Sequence, residues 1–193
     1  MKKKLTSAHF EKVLKKCLVE IDYNIKSHLG VLLAIQDRLQ FEKWLQIELV
    51  KYLADKVKDF DVEIYFEYDL DQKTSKRGQT IDIVIFQDGI KFIGLEVKNA
   101  STNYRIINDA KKTKINTNII NAFITDLDKT ADFDYSYSLA LISTFTISKD
   151  HRNYDDFKKQ ELLMRKKSKL TIFKGLKMDD FITRYYLLCK VNK

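Results

Sequence analysis

Asp82, Glu96 and Lys98 are the residues of this chain whose types and spacing best suit chemistry. They lie in Thr80 to Asn99, a stretch otherwise made of two apolar runs joined at Asp88-Gly89. An Asp-Gly pair between such runs predicts a hairpin. The hairpin sets Asp82 opposite position 95 or 96, so the carboxylates of Asp82 and Glu96 are expected as cross-strand neighbours. Residues two apart on a strand share a face, which puts Glu96, Lys98 and Gly94 on one side. Carboxylates that close repel unless a proton or a cation sits between them. Mg²⁺ suits such a pair, because it takes hard oxygen ligands and keeps several waters; Mn²⁺ is the alternative. Lys98 beside it could hold a phosphate oxygen or steady an attacking water. The implied chemistry is metal-assisted hydrolysis of a phosphodiester.

The elements that must carry these residues follow from periodicity. Ser7 to Ile25 repeats apolar residues at spacings of three and four, a helix capped by Ser7. Asp37 to Lys56 predicts a second helix whose stripe is Phe41, Trp44, Leu45, Glu48, Leu49, Tyr52 and Leu53. Glu48 is the one acid on that stripe, and an acid facing a core needs a partner. Asp37, Glu42 and Asp55 fall off it, where solvent is expected. Asp61 to Asp69 alternates as a strand, with Val62, Ile64, Phe66 and Tyr68 on one face. Tyr104 to Lys129 predicts helix, with a break near 116–118. Tyr137 to Ile147 predicts a strand, and its continuous run Leu139 to Ile142 suits an interior, parallel one. Tyr154 to Lys167 is expected as helix, Lys169 to Phe173 as a short strand and Met178 to Val191 as a closing helix. The fold class is α/β, a mixed sheet flanked by helices. It forms one domain, with a helical extension over 1–36, a core over 37–147 and a helix-strand-helix over 148–193.

Asp82 followed by Glu96-Val97-Lys98, on successive strands after a helix and a strand, resembles the PD-(D/E)xK nuclease superfamily. The resemblance covers roughly Asp37 to Phe145 and implies the αβββαβ restriction-endonuclease-like core. It implies that Asp82, Glu96 and the main-chain carbonyl of Val97 ligate Mg²⁺ and that Lys98 is the catalytic lysine. It also implies that Glu48, like the acid many members carry on the first core helix, faces the metal. Ile81 stands where the family name has Pro. The expected activity is a nuclease, DNA ahead of RNA, in restriction, defence or repair. A homodimer would let two sites cut two strands. Ordinary structural roles remain open for each residue: a strand-end lysine paired with Glu96, an edge-strand Asp82, a hydrogen-bonded Glu48. So do two other functions: a nucleic-acid-binding module on the same fold without catalysis, and a regulatory protein-binding subunit.

Charge supports a polyanionic partner. The 193-residue chain has a formal net charge of +8, nearly all of it beyond residue 100. Lys73, Lys76 and Arg77 precede the Asp82 strand, Arg105 follows the Lys98 strand, and Lys166 and Lys167 sit in the densest basic cluster, which runs from Lys158 to Lys169. These are the candidate nucleic-acid contacts. Three histidines show no metal-ligand spacing, two cysteines make neither a zinc site nor a disulfide framework, and no Gly-rich phosphate loop occurs. No apolar run is long enough to cross a bilayer. A cytoplasmic protein is the expectation.

Overall fold

The computed structural model describes residues 2–27, 38–70, 80–101, 117–145, 165, 168–178 and 181–192. Helix α1 spans Ser7–Ser27. Its cap is Thr6 and not Ser7: the Thr6 Oγ1 accepts the His9 amide at 3.2 Å and the Thr6 carbonyl accepts that of Phe10. Phe10, Leu14, Cys17, Leu18, Ile21 and Ile25 form its buried stripe. Helix α2, Arg38–Lys56, packs on α1 through Leu45, Leu49 and Leu53.

Strands β1 (Val62–Asp69), β2 (Thr80–Gln87) and β3 (Ile90–Ser101) follow, then helix α3 (Thr117–Lys129) and strand β4 (Tyr135–Phe145). The order from α2 to β4 is therefore helix, three strands, helix, strand. Two further strands end the chain, β5 (Lys169–Met178) and β6 (Phe181–Val191). The expected closing helix over Met178 to Val191 is thus corrected to a strand. Tyr185 to Cys189 is buried on consecutive residues, so both faces are covered, as an interior strand requires. The expected helix over Tyr154 to Lys167 falls almost wholly outside the described residues, as do the residues before Thr117 in the expected helix from Tyr104.

All six strands share one mixed sheet in the order β1-β2-β3-β4-β6-β5. β3 and β4 are parallel and every other pair is antiparallel. The apolar run of β4 is interior, as its composition predicts, with a parallel neighbour in β3 and an antiparallel one in β6. Strand alternation sorts the two layers. Leu139, Tyr185 and Leu187 pack with α1 and α2, while Ala140, Tyr186 and Leu188 pack with Phe123 and Leu127 of α3. Burial alternates along the whole of β1, as its sequence predicts, although Glu67 takes a φ of 49°, in the left-handed region. Tyr68 consequently joins Tyr65 and Phe86 in an aromatic cluster, and Phe66 instead lies under the Lys43 ammonium.

The hairpin of β2 and β3 turns at Asp88-Gly89, both with positive φ. Its register pairs Ile83 with Leu95, Val84 with Gly94 and Ile85 with Ile93. Gly94 lies where the end of α3 crosses the sheet. A Cβ there would stand 2.7 Å from the Thr130 Cβ and closer still to its Cγ2. The Thr130 hydroxyl is itself tied to the Leu127 carbonyl, so the clash cannot be relieved by a simple rotation. Gly94→Ala is therefore expected to destabilise the fold by about 1–3 kcal/mol, the usual cost of overpacking. Urea unfolding of the variant against the parent checks this, and an unchanged midpoint would show that α3 is free to shift.

Candidate functional site

The site forms where β2 and β3 part. Their pairing ends at Ile83 and Leu95, whereas β3 runs on beside β4 to Ser101. The amides of Val97 and Asn99 therefore lack a strand partner on the β2 side, and buried amides must find acceptors. Two carboxylates supply them. Asp82 Oδ2 accepts the Val97 amide at 2.7 Å, and Glu42 Oε2 accepts the Asn99 amide at 3.1 Å. Asp82 comes from β2 itself and Glu42 from the first turns of α2.

Glu96 and Lys98 project from β3 toward α3, as the period of two predicts. There they meet Asp126 and Lys129, which are three positions apart on one helix face. The Lys98 Nζ lies 3.5 Å from Glu96 Oε2, 3.5 Å from Asp126 Oδ2 and 3.7 Å from Glu42 Oε1. The Lys129 Nζ lies 3.2 Å from Glu96 Oε2 and 2.7 Å from Asp126 Oδ1. Among the described residues, four carboxylates thus surround two ammonium groups, an excess of two negative charges when all are ionised. Glu96 is 1% exposed and Asp126 3%. Among the described residues, the second oxygen of Glu96, Oε1, is buried without a hydrogen-bond partner.

Burial pushes the Glu96 carboxyl up to about 7, and the Asp82 charge adds to the rise. Asp82 is also raised, chiefly by burial, although the Val97 amide pulls it down. Glu42 is raised by burial against the pull of Lys98. Burial alone would lower Lys98, yet Asp126, Glu42, Asp82 and Glu96 together outweigh it and keep the ammonium charged. A cluster of this kind, with titrations displaced by burial and by one another, is a functional-site candidate on physical grounds.

Of the residues expected from the sequence, Asp82, Glu96, Val97 and Lys98 are brought together. Glu48 is not, and its expected place at the metal is corrected. Its Oε2 takes the Asn24 Nδ2 of α1 at 3.2 Å and the Lys51 ammonium at 3.4 Å. The stripe was read rightly as apolar, but it faces α1, and Asn24 is the partner that satisfies the acid. Glu42, next to Phe41 but off the stripe, is expected in solvent; it instead reaches the gap between β2 and β3. Asp126 and Lys129 join the site beyond the residues expected from the sequence. Asp126 lies beside Phe123 and Leu127 on the buried face of α3, the same anomaly that drew notice to Glu48. The candidate nucleic-acid contacts Lys73, Lys76, Arg77, Arg105, Lys166 and Lys167 lie outside the described residues. Lys169, at the end of the basic cluster, pairs with Glu11 at 2.8 Å.

Among the described residues, no three His, Cys, Asp or Glu side chains are placed to hold a metal ion together. Mg²⁺ does not need three, since one or two carboxylates and several waters suffice. Asp82 and Glu96 are oxygen donors of that kind, and Glu96 Oε1 has no hydrogen-bond partner among the described residues. No family model and no curated protein matches the sequence, and no solved structure matches the fold. Among the described residues, no helix is long and apolar enough to cross a membrane.

The Glu96 shift has a consequence for stability. The folded protein holds the proton of Glu96 up to about pH 7, the unfolded chain only to its ordinary value of 4.5. Between those values the folded state binds more protons, so stability is lost as pH rises through that window. The loss is on the order of 3 kcal/mol if the full displacement is realised. Asp82 and Glu42 add smaller losses of the same sign. Urea unfolding in chelator across this range is expected to show the decline, and Glu96→Gln to flatten it and raise stability at the alkaline end. A parent protein whose stability rises through the window would refute the buried, proton-holding Glu96.

Proposed function

We propose that this protein is a divalent-cation-dependent nuclease with a restriction-endonuclease-like core, acting on DNA ahead of RNA. The observation that carries the reading is the buried excess of negative charge at the parting of β2 and β3, with Glu96 Oε1 left without a partner. Purely structural ion pairs would be expected to balance, because unpaired buried charge costs several kcal/mol. The helix, three-strand, helix, strand order supports the same reading, as does the resemblance of Asp82 and Glu96-Val97-Lys98 to the PD-(D/E)xK pattern.

Asp82 and Glu96, with the Val97 carbonyl, would hold Mg²⁺ or Mn²⁺. The bound ion would polarise the phosphoryl group and lower the pKa of its water. Asp82 is fixed for this task by the Val97 amide, which occupies one of its oxygens and orients the other. Lys98 stays protonated among its carboxylates, so it serves as a fixed positive group for a phosphate oxygen or the attacking water and not as a base. Glu42 positions Lys98 and the strand carrying it. A net charge of +8 favours association with a polyanion.

The test is a cleavage panel of single-stranded, duplex and branched DNA and of RNA, with Mg²⁺ or Mn²⁺. Cleavage is expected to need the ion and to fall about a hundredfold or more in Asp82→Asn and in Lys98→Met. Glu42→Gln should also impair it, whereas Glu48→Gln should cleave as the parent does. If no substrate is cut, or the Asp82 and Lys98 variants cut as well as the parent, the nuclease reading falls. Salt-sensitive binding to nucleic acid would then point to a binding module without catalysis.

A further inference from the structure

Lys129 stands where a cation is most needed. Its ammonium spans Glu96 Oε2 and Asp126 Oδ1, the two most buried carboxylates of the cluster. The contact to Asp126 is the shorter, 2.7 Å against 3.2 Å, and comes from the same helix face. The Lys129 side chain is 36% exposed, so it enters from the open side of the cluster. Lys98, by contrast, is 23% exposed and sits among three carboxylates at 3.5–3.7 Å. A divalent ion on Glu96 would bring two positive charges next to the Lys129 ammonium, and like charges at such range repel strongly in a half-buried site. Asp126 gives the ammonium a partner to keep when Glu96 is taken. Its remaining oxygen lies 3.5 Å from the Lys98 ammonium and, among the described residues, has no hydrogen-bond partner.

We propose that Lys129 is the resident counter-ion of Glu96: it holds that carboxylate in the cation-free protein and yields it to the divalent ion while staying on Asp126. The proposal rests on the cation-dependent reading above. Lys129 is thus a positioning residue that acts on the ion's affinity through Glu96. It keeps the cleft from carrying its full negative charge before the ion arrives, and it makes ion binding a replacement of one cation by another.

The experiment is Mn²⁺ binding followed by the electron paramagnetic resonance of the free ion, at about pH 8, where protons compete little with the ion for carboxylates. Lys129→Met is expected to bind Mn²⁺ about five- to tenfold more tightly than the parent, and Lys129→Arg, which keeps the charge, to bind as the parent does. A purely structural role for Lys129 would weaken binding or leave it unchanged. In the parent protein, acetylation of Lys129 by a limiting amine reagent should quicken several-fold when Mg²⁺ is added. Lys190, held by Asp128 at the surface, should not change. Tighter binding by Lys129→Met, or quickened acetylation should that variant fail to fold, supports the proposal. Binding by Lys129→Met that is no tighter than the parent's, or unchanged acetylation, overturns it and leaves the nuclease reading intact. No saturable Mn²⁺ binding in either protein overturns both.

Discussion

Beyond Leu95 the amides of β3 that face β2 have lost their strand partner, and each buried amide left without an acceptor would cost about 1–3 kcal/mol. The chain meets this requirement with side chains instead of backbone. Asp82 takes the Val97 amide and Glu42 takes that of Asn99. The acids are therefore part of how the sheet is completed at this point, and they cannot be moved outward to water without opening the strand. Their burial is what raises the Asp82 and Glu42 carboxyls, and it places both acids beside Glu96 and Lys98.

The parting also joins the two layers. A continuous sheet would separate α2 from α3, because alternate side chains point to opposite faces. At the gap, Lys98 reaches Glu42 of α2 and Asp126 of α3 together. Coulombic attraction at these distances is strong only because solvent is largely excluded. The same exclusion makes the surplus charge costly, so the cluster is a local debit within a domain whose apolar contacts on both faces of the sheet must carry the stability. Sites that bind ligands are commonly held under such tension, with the fold's stability drawn from elsewhere.

The sequence made the hairpin and its consequence legible. Asp88-Gly89 places the turn, and a register shift between Ile85 and Phe86 then pairs Ile83 with Leu95, where the pairing ends one position short of Asp82 and Glu96. Interior β4 was legible from its unbroken apolar run. Periodicity identified the apolar face of α2 but not what it would meet, so Glu48 was matched to the wrong partner and Asn24 of α1 was overlooked. Glu42 was missed for a related reason: its role depends on where β2 stops, and strand ends leave little trace in composition. In β6, apolar spacings of three and four also fit a strand buried on both faces. The aromatic and β-branched character of Phe181, Ile182, Thr183, Tyr185 and Tyr186 was the signal that separates the two.

These features bear on one another through a single balance. Each carboxylate of the cluster comes from a different element: Glu42 from α2, Asp82 from β2, Glu96 from β3, Asp126 from α3. The cluster therefore exists only when both helical layers are docked on the sheet, and the unfolded chain has no equivalent of it. A cation bound there stabilises the folded state by mass action, because it binds the folded form and not the unfolded one. The charge excess that weakens the cation-free fold is thus the same quantity that would drive the cation in. Lys98 and Lys129 set its size: among the described residues, two ammonium groups offset part of the charge of four carboxylates.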